Sequence, residues 1–159
     1  MPRRTLSKRD IKELLPLISS LIEVSPKQKV EIIEDGKYSI MYVDDEALLF
    51  EFEGRWLPLL RCVLSGRIKV AYPKVTVDMG AIRFVANGAD IMRPGIVLVE
   101  DGISPGSPVL IVDEKHGKTL AIGVSTLSSE DLRAATGGKV VKNAHAAGDE
   151  LWELTKSRD

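Results

Sequence analysis

The sequence predicts an α+β protein: a small N-terminal α/β domain, with a helix on an antiparallel sheet, followed by a C-terminal mixed β-barrel. Three observations support this prediction. A capped helical pattern opens the chain, an Asp-Gly hairpin signal follows it, and short apolar runs separated by turn residues recur farther on. We expect residues 1–72 to form the first domain and residues 73–159 the second.

The first domain begins with an amphipathic helix. Ser7-Lys8-Arg9-Asp10 has the spacing of a capping box. Pro16 lies inside the helical pattern and should kink or restart the helix, because proline lacks the backbone N–H and crowds the preceding turn. Apolar residues follow the cap at helical spacing at Ile11, Leu14, Leu15, Ile18, Leu21 and Ile22.

A small antiparallel sheet should follow this helix. Residues 29–33 and 38–43 are strand-like and flank an Asp35-Gly36 step, which favours a tight hairpin. Residues 47–52 continue as a third strand. Periodicity leaves residues 57–64 open between strand and helix.

Regularly spaced short strands predict a barrel in the second domain. One helix interrupts them, capped at Ser128 and ended by Gly137-Gly138. The strand-like runs cover residues 75–77, 82–85, 96–99, 109–112, 120–124, 139–143 and 151–154.

The segment from Asp78 to Ile96 is the most informative part of the chain. Its alternation predicts a half-buried strand over residues 81–85, with Ile82 and Phe84 on one face. Asn87-Gly88 should break this strand, since both residues tolerate positive φ. Pro94-Gly95 fits a type II turn. We therefore expect a rigid loop that presents backbone N–H groups and an exposed Arg93, a suitable surface for phosphate.

Residues 88–96, Gly-Ala-Asp-Ile-Met-Arg-Pro-Gly-Ile, resemble the signature loop of the PUA domain, an RNA-binding module. Residues 120–124, 138–145 and 148–152 match later PUA segments in order. Residues 58–61, 77–82 and 128–132 resemble the malignant-T-cell-amplified-sequence family and its single-chain archaeal relatives. That family joins an N-terminal pre-PUA domain to a PUA domain and is linked with translation.

The resemblance implies an RNA-binding surface built from the loop and the late strand. Backbone amides of residues 88–95 and basic side chains would hold phosphates, while Asn143 or His145 would meet base or ribose edges. Asp90 should hold the loop by accepting from backbone N–H groups, and Trp152 should lie in the core. Because the loop has no aromatic residue, single strands should compete poorly. The candidate site comprises Arg83, Asn87, Gly88, Ala89, Met92, Arg93, Pro94, Gly95, Lys139, Lys142, Asn143 and His145.

Net charge is −1, but the charges are unevenly distributed. Residues 3–12 carry five cations and one acid, and residues 54–77 carry five cations and no acid. Such runs are either nucleic-acid contacts or ordinary solvated faces. The secondary basic patch comprises Arg61, Arg67, Lys69 and Lys74.

Motifs of catalysis and metal binding are missing from the sequence. The single Cys62 excludes a disulfide framework and a cysteine-cluster zinc site, and His116 and His145 have no metal-ligand spacing. Asp78 is best explained as the cap of a turn. We therefore expect no catalytic residues, no metal and no cofactor. No apolar run reaches the ~18 residues of a membrane span, so we expect a cytoplasmic protein without a membrane or DNA partner.

The sequence thus predicts a non-catalytic RNA-binding protein linked with translation. Its partner would be structured RNA, a tRNA acceptor end or ribosomal RNA, with the ribosome or a translation factor as a further partner. Two alternatives stay open. One is a protein-interaction adaptor that docks on the ribosome or a translation factor, and the other is an accessory subunit of an RNA-modifying enzyme.

Overall fold

The computed structural model describes residues 3–156, and its contacts divide the chain into two units between Val70 and Ala71. In the first unit, five antiparallel strands pair in sequence order. These strands are β1 (Arg3–Thr5), β2 (Val30–Asp35), β3 (Tyr38–Val43), β4 (Glu46–Phe52) and β5 (Arg55–Pro58), and the helices are α1 (Lys8–Ile18) and α2 (Leu60–Ser65).

Helix α1 begins with the predicted capping box. The Ser7 side chain accepts from the Asp10 N–H, and the Asp10 carboxylate accepts from the Ser7 N–H, both at 3.1 Å. Pro16 does not restart the helix, which continues to Ile18. Pro16 lies in the last turn of α1. Its missing N–H therefore removes one backbone hydrogen bond close to the point where the helix ends.

The predicted hairpin and third strand are confirmed. Strands β2 and β3 pair up to Asp35 and Tyr38, and Gly36 adopts φ +60° in the turn between them. The flanking strands β1 and β5 were not predicted. Residues 57–64, left open between strand and helix, contain both, because β5 ends at Pro58 and α2 begins at Leu60.

The second unit is a nearly closed mixed barrel, which confirms the predicted class. Its six strands have the order β7-β11-β10-β9-β6-β8, with β6 and β9 parallel and the other pairs antiparallel. The strands are β6 (Lys74–Val77), β7 (Ile91–Met92), β8 (Ile96–Val99), β9 (Pro108–Asp113), β10 (Thr119–Ser125) and β11 (Lys139–Ala146), and the helices are α3 (Ile82–Ala86), α4 (Ser129–Ala134) and α5 (Glu150–Leu154). No helix within residues 3–156 is long and apolar enough to cross a bilayer.

Two predicted strands of this unit are helices. The strand prediction for residues 82–85 is wrong because the Asp78 carboxylate accepts from the Ala81 N–H at 2.9 Å, at the turn where α3 starts. Within α3 only Val85 is fully buried, whereas Phe84 is 54% exposed.

The prediction for residues 151–154 fails for a similar reason. The Asp149 side chain caps α5 by accepting from the Trp152 N–H at 2.8 Å. Leu151 is buried there, while Trp152 is only partly buried and does not lie fully in the core. Ser128 caps α4 as predicted, although that helix ends at Ala134, before the two glycines.

Gly88 ends α3 in a left-handed conformation. Its φ is +87°, its N–H donates to the Val85 carbonyl at 3.0 Å, and the Ala89 N–H donates to the Phe84 carbonyl at 2.9 Å. These two bonds form a Schellman motif. The requirement for positive φ is confirmed at Gly88, while Asn87 stays at φ −88°.

The predicted type II turn at Pro94-Gly95 is wrong. Residues Arg93–Gly95 form a 3₁₀ turn, and Gly95 has no positive φ. A Cβ at Gly95 would lie 3.2 Å from the Cβ of Ala81. The absence of a side chain at Gly95 therefore permits a close approach to the start of α3.

Substitution of Gly88 by alanine should destabilise the fold through backbone conformation alone. A Cβ at Gly88 would meet no atom within 4 Å, so the expected loss of about 1–2 kcal/mol comes from the positive φ. Gly137→Ala is the matched control, since Gly137 has equally open surroundings and no positive φ. Chemical denaturation of both variants measures the effect, and equal stabilities would contradict this account.

Candidate RNA-binding site

The segment from α3 to β7 lies beside β11. Strands β7 and β11 pair through Met92 with Lys139 and Ile91 with Val141. The structure thus brings together the loop of residues 87–90 and the late strand, the two parts of the predicted site.

Asn143 ties these two parts to each other. Its side-chain amide donates to the carbonyls of Val85 at 3.0 Å and Ala89 at 3.1 Å. Its backbone N–H donates to the Asp90 carboxylate at 2.9 Å, which confirms the predicted role of Asp90. The amide hydrogens of Asn143 therefore serve the fold, and its contact with a base or ribose edge stays a prediction.

Backbone amides of the loop are also engaged. The N–H groups of Gly88 and Ala89 cap α3, and the Arg93 N–H donates to the Gly138 carbonyl at 2.9 Å. These three donors were predicted to hold phosphates. Since their hydrogens are used within the chain, these three amides are not available to a phosphate.

Arg93 is not the exposed anchor that the sequence predicted. Its Nε donates to the Leu132 carbonyl at 2.5 Å, and its terminal nitrogens donate to the carbonyls of Ile96 at 3.1 Å and Arg133 at 3.4 Å. Two of these acceptors lie near the C-terminal end of α4, where carbonyls attract a cation. Arg93 therefore fastens α4 to the turn that precedes β8.

His145 is likewise placed inside the fold. Its side chain is 1% exposed, and its Nδ1 lies 2.9 Å from the Asp149 carboxylate. Contact between this ring and a base or ribose edge is therefore excluded in this conformation. Burial raises the pKa of Asp149, but contacts with His145 and the backbone N–H groups of Trp152 and Ala146 outweigh it and hold that pKa below its ordinary value.

Three predicted cations remain on the surface. Arg83 projects from α3, and Lys139 and Lys142 from β11. Within the two segments that carry them, residues 79–99 contain one acid, Asp90, and residues 137–148 contain none. The other predicted residues with exposed surface are Asn87, Gly88, Ala89, Met92 and Pro94, while Gly95 is partly buried.

An aromatic residue missed by the sequence analysis lies beside this loop. Phe84 is 54% exposed, and the guanidinium carbon of Arg83 lies 5.0 Å from its ring centroid. The alternation of residues 81–85 predicts a half-buried strand with Ile82 and Phe84 on one face. The signal that would have found it is the turn-capping Asp78 ahead of Gly80, which favours a helical start.

The secondary basic patch is less basic than its sequence suggests. Glu46 of β4 pairs with Arg67 at 3.1 Å, and Arg61 is partly buried in α2. Lys69 is exposed in the first unit, whereas Lys74 opens β6 in the second. Near the N-terminus, ion pairs join Arg3 to Glu31 and Arg9 to Glu13.

The single cysteine of the chain, Cys62, is buried. Burial, with Glu46 nearby, raises the pKa of the Cys62 thiol to about 11, so this sulfur stays protonated at neutral pH. Across residues 3–156, no three His, Cys, Asp or Glu side chains group together to hold a metal ion.

Replacement of Arg93 by alanine should destabilise the protein, since three carbonyls lose a charged donor. We expect a loss of about 1.5–3 kcal/mol, the range for a hydrogen bond to a charged group. Arg83→Ala is the control and should change stability little, because Arg83 is exposed. Thermal melting compares the variants, and an unchanged Arg93→Ala midpoint would contradict the assignment.

Asp149 should make stability depend on pH in the acid range. Its lowered folded pKa means that the ionised carboxylate stabilises the fold above the unfolded value of about 3.9, and this contribution is lost as pH falls through the folded pKa. Asp149→Asn should therefore be less stable than the parent at pH 7, with a smaller difference at pH 3. Glu150→Gln serves as an exposed control. Urea unfolding measures the free energy of unfolding of each protein. An equal difference between Asp149→Asn and the parent at both pH values would refute this prediction.

Two domain-family models match the chain. The PUA domain model matches residues 73–147, and a domain of unknown function, DUF1947, matches residues 2–65. An uncharacterized protein of Methanocaldococcus jannaschii is 36% identical over 96% of both chains. Translation machinery-associated protein 20 of Saccharomyces cerevisiae is 32% identical over 96% of this chain and 88% of its own.

A solved structure supports the same relationship. A PUA domain protein from Aeropyrum pernix K1, crystallised with tartrate, superposes with a TM-score of 0.76 at 31% identity, covering 97% of this chain and 90% of that one. The chain therefore belongs to the PUA-domain family that includes translation machinery-associated protein 20 and malignant T-cell-amplified sequence 1.

Proposed function

We propose that this chain is a non-catalytic RNA-binding protein linked with translation, and that its second unit binds structured RNA. A tRNA acceptor end or a ribosomal RNA helix is the expected ligand, and the cytoplasm is the expected place of action. The PUA match and the translation machinery-associated relative support the link.

The observation that carries the proposal is the charge of the surface around α3 and β11. Arg83, Lys139 and Lys142 are exposed, and Asp90, the one acid within residues 79–99, is engaged by the Asn143 N–H. An RNA backbone would meet these cations on two segments whose own sequence contains a single acid. For RNA binding, the local excess of cations over acids in these segments matters more than the chain's net charge of −1.

We expect a structured RNA, because the cations lie on secondary-structure elements that are hydrogen-bonded to each other. Strand β11 carries the two lysines, and Asn143 holds α3 against the same strand. Cations at fixed positions favour phosphates at fixed spacing, as in a paired helix, and lose less conformational entropy on binding. Contacts to phosphates set position and orientation without reading sequence.

A binding role without catalysis follows from the same surface. Its exposed polar groups are cations and amides, and its histidine is buried against Asp149. General acid–base or nucleophilic catalysis requires a reactive group that can reach the substrate. We therefore expect the chain to hold RNA without modifying it.

Replacement of Lys139 and Lys142 by alanine should weaken RNA binding. With three exposed cations contacting phosphates, affinity should fall roughly 20- to 40-fold between 50 and 200 mM salt. The Lys139→Ala/Lys142→Ala variant, with one cation left, should show only about a threefold salt effect over that range. Fluorescence titration of a labelled RNA hairpin at several salt concentrations measures both slopes.

A variant with Arg67→Ala and Lys69→Ala is the matched control, since it removes two cations from the first unit. It should keep the salt slope of the parent. The proposed site is wrong if this control loses binding while the β11 variant retains it. Absence of RNA binding by the parent chain would instead favour a protein-interaction adaptor that docks on the ribosome or a translation factor.

A further inference from the structure

The step from Asn87 to Gly88 is exposed and chemically reactive. Both residues lie on the surface, and a Cβ at Gly88 would meet no atom within 4 Å. In an Asn-Gly step the glycine nitrogen can attack the side-chain amide carbon of the asparagine, because no Cβ on the glycine hinders the approach. The chain has one other asparagine, Asn143, which is followed by alanine and whose side-chain nitrogen donates two hydrogen bonds.

The fold restrains this attack through the C-terminal cap of α3. The Gly88 N–H donates to the Val85 carbonyl at 3.0 Å, and the Ala89 N–H donates to the Phe84 carbonyl at 2.9 Å. The Gly88 nitrogen becomes a nucleophile only when it gives up its proton, which this first bond directs at a carbonyl. The cap must therefore open before the nitrogen can react with Asn87.

Asn143 holds the cap closed from β11. Its side-chain amide donates to the Val85 carbonyl, the same group that accepts from Gly88, and to the Ala89 carbonyl. These two acceptors stand on either side of the Asn87-Gly88 step. Because the free energy of local opening rises with the number of bonds that must break, Asn143 sets how often the step becomes reactive.

The product of the reaction would change the charge of the candidate site. The Asn87 N–H donates to the Arg83 carbonyl at 3.1 Å, so the two residues are one helical turn apart. A carboxylate at residue 87 would interact with the Arg83 guanidinium at this spacing. It would also be the second acid within residues 79–99, where Asp90 is now the only one.

We propose that Asn87 is a deamidation site whose rate is controlled by the α3 cap and Asn143, and whose product weakens RNA binding. The Gly88 nitrogen bonds to Cγ of Asn87, the bond from Cγ to Nδ2 breaks, and ammonia leaves with the proton from Gly88. Water then opens the cyclic imide to aspartate or isoaspartate. The modification itself needs no RNA, whereas its effect on binding rests on the proposed RNA-binding function.

The first measurement is the rate of deamidation at residue 87 of the full chain, followed by peptide mapping and mass spectrometry at mildly alkaline pH. The folded parent should react roughly 10- to 100-fold more slowly than the same chain unfolded in guanidinium chloride, since several hydrogen bonds must open first. Folded Asn143→Ala should react roughly 5- to 30-fold faster than the folded parent, the effect of losing one or two hydrogen bonds.

Two further variants complete this comparison. Asp90→Ala removes the carboxylate that accepts from the Asn143 N–H, so it loosens the loop even if Asn143→Ala fails to fold. It should also speed the reaction, by roughly 5-fold for one hydrogen bond. Glu130→Gln is the control, since Glu130 is exposed on α4, and it should keep the parental rate.

The second measurement is the salt dependence of hairpin RNA binding by Asn87→Asp, which supplies the aspartate product directly. With one cation offset, the affinity should fall only roughly 7- to 12-fold between 50 and 200 mM salt, less than for the parent. Gln28→Glu is the matched control, because it adds the same charge in the first unit and keeps the oxygen that accepts from the Ser25 N–H. It should keep the parental salt slope.

The outcomes separate this inference from the proposed function. The site is wrong if residue 87 of the unfolded chain does not deamidate. Equal rates in the folded and unfolded parent, or parental rates in both Asn143→Ala and Asp90→Ala, would overturn the control by the cap. A parental salt slope for Asn87→Asp would overturn the effect on binding while the RNA-binding function stands. If the parent binds no RNA, the proposed function fails, and the rates at residue 87 alone decide the modification.

Discussion

The geometry of the candidate site depends on the hydrogen bonds that the Asn143 side chain donates. One amide group joins the carbonyls of Val85 and Ala89, so it bridges the last turn of α3 and the loop behind it. The backbone N–H of the same residue engages Asp90. Groups 53 to 58 residues apart in sequence are thereby held at fixed distances. Loss of this link would free the loop and the ring of Phe84 together.

Satisfaction of internal hydrogen bonds leaves a restricted set of groups for an external ligand. Helix termini have unpaired backbone groups that must find partners, and here Arg93 serves α4 while Gly88 and Ala89 serve α3. Beside these engaged groups, Arg83, Lys139 and Lys142 are exposed.

Sequence reasoning succeeded where the determining residues are close in the chain. The Ser7–Asp10 capping box and the Asp35-Gly36 hairpin each depend on a few consecutive residues, and both are confirmed. The positive φ of Gly88 belongs to the same class. The regular spacing of short strands predicted the barrel, and the resemblance to a known module implied the same fold. The parallel pairing of β6 with β9 has no local signature.

The failures have a common physical origin in short elements and distant partners. Helix α3 has five residues, too few for strand and helix periodicities to be told apart. Arg93 bonds to carbonyls 39 and 40 residues away, so its engagement could not be inferred from its own turn. The burial of His145 against Asp149 depends on how α5 packs on β11, which the sequence alone does not reveal.

The most direct test of this account is a map of the backbone amide signals of the full chain by NMR during titration with a hairpin RNA. The account predicts that the largest shifts occur in α3, in the loop of residues 87–90 and in β11, with Arg83, Lys139 and Lys142 among the affected residues. Shifts confined to the first unit, residues 3–70, with α3 and β11 unaffected, would contradict it.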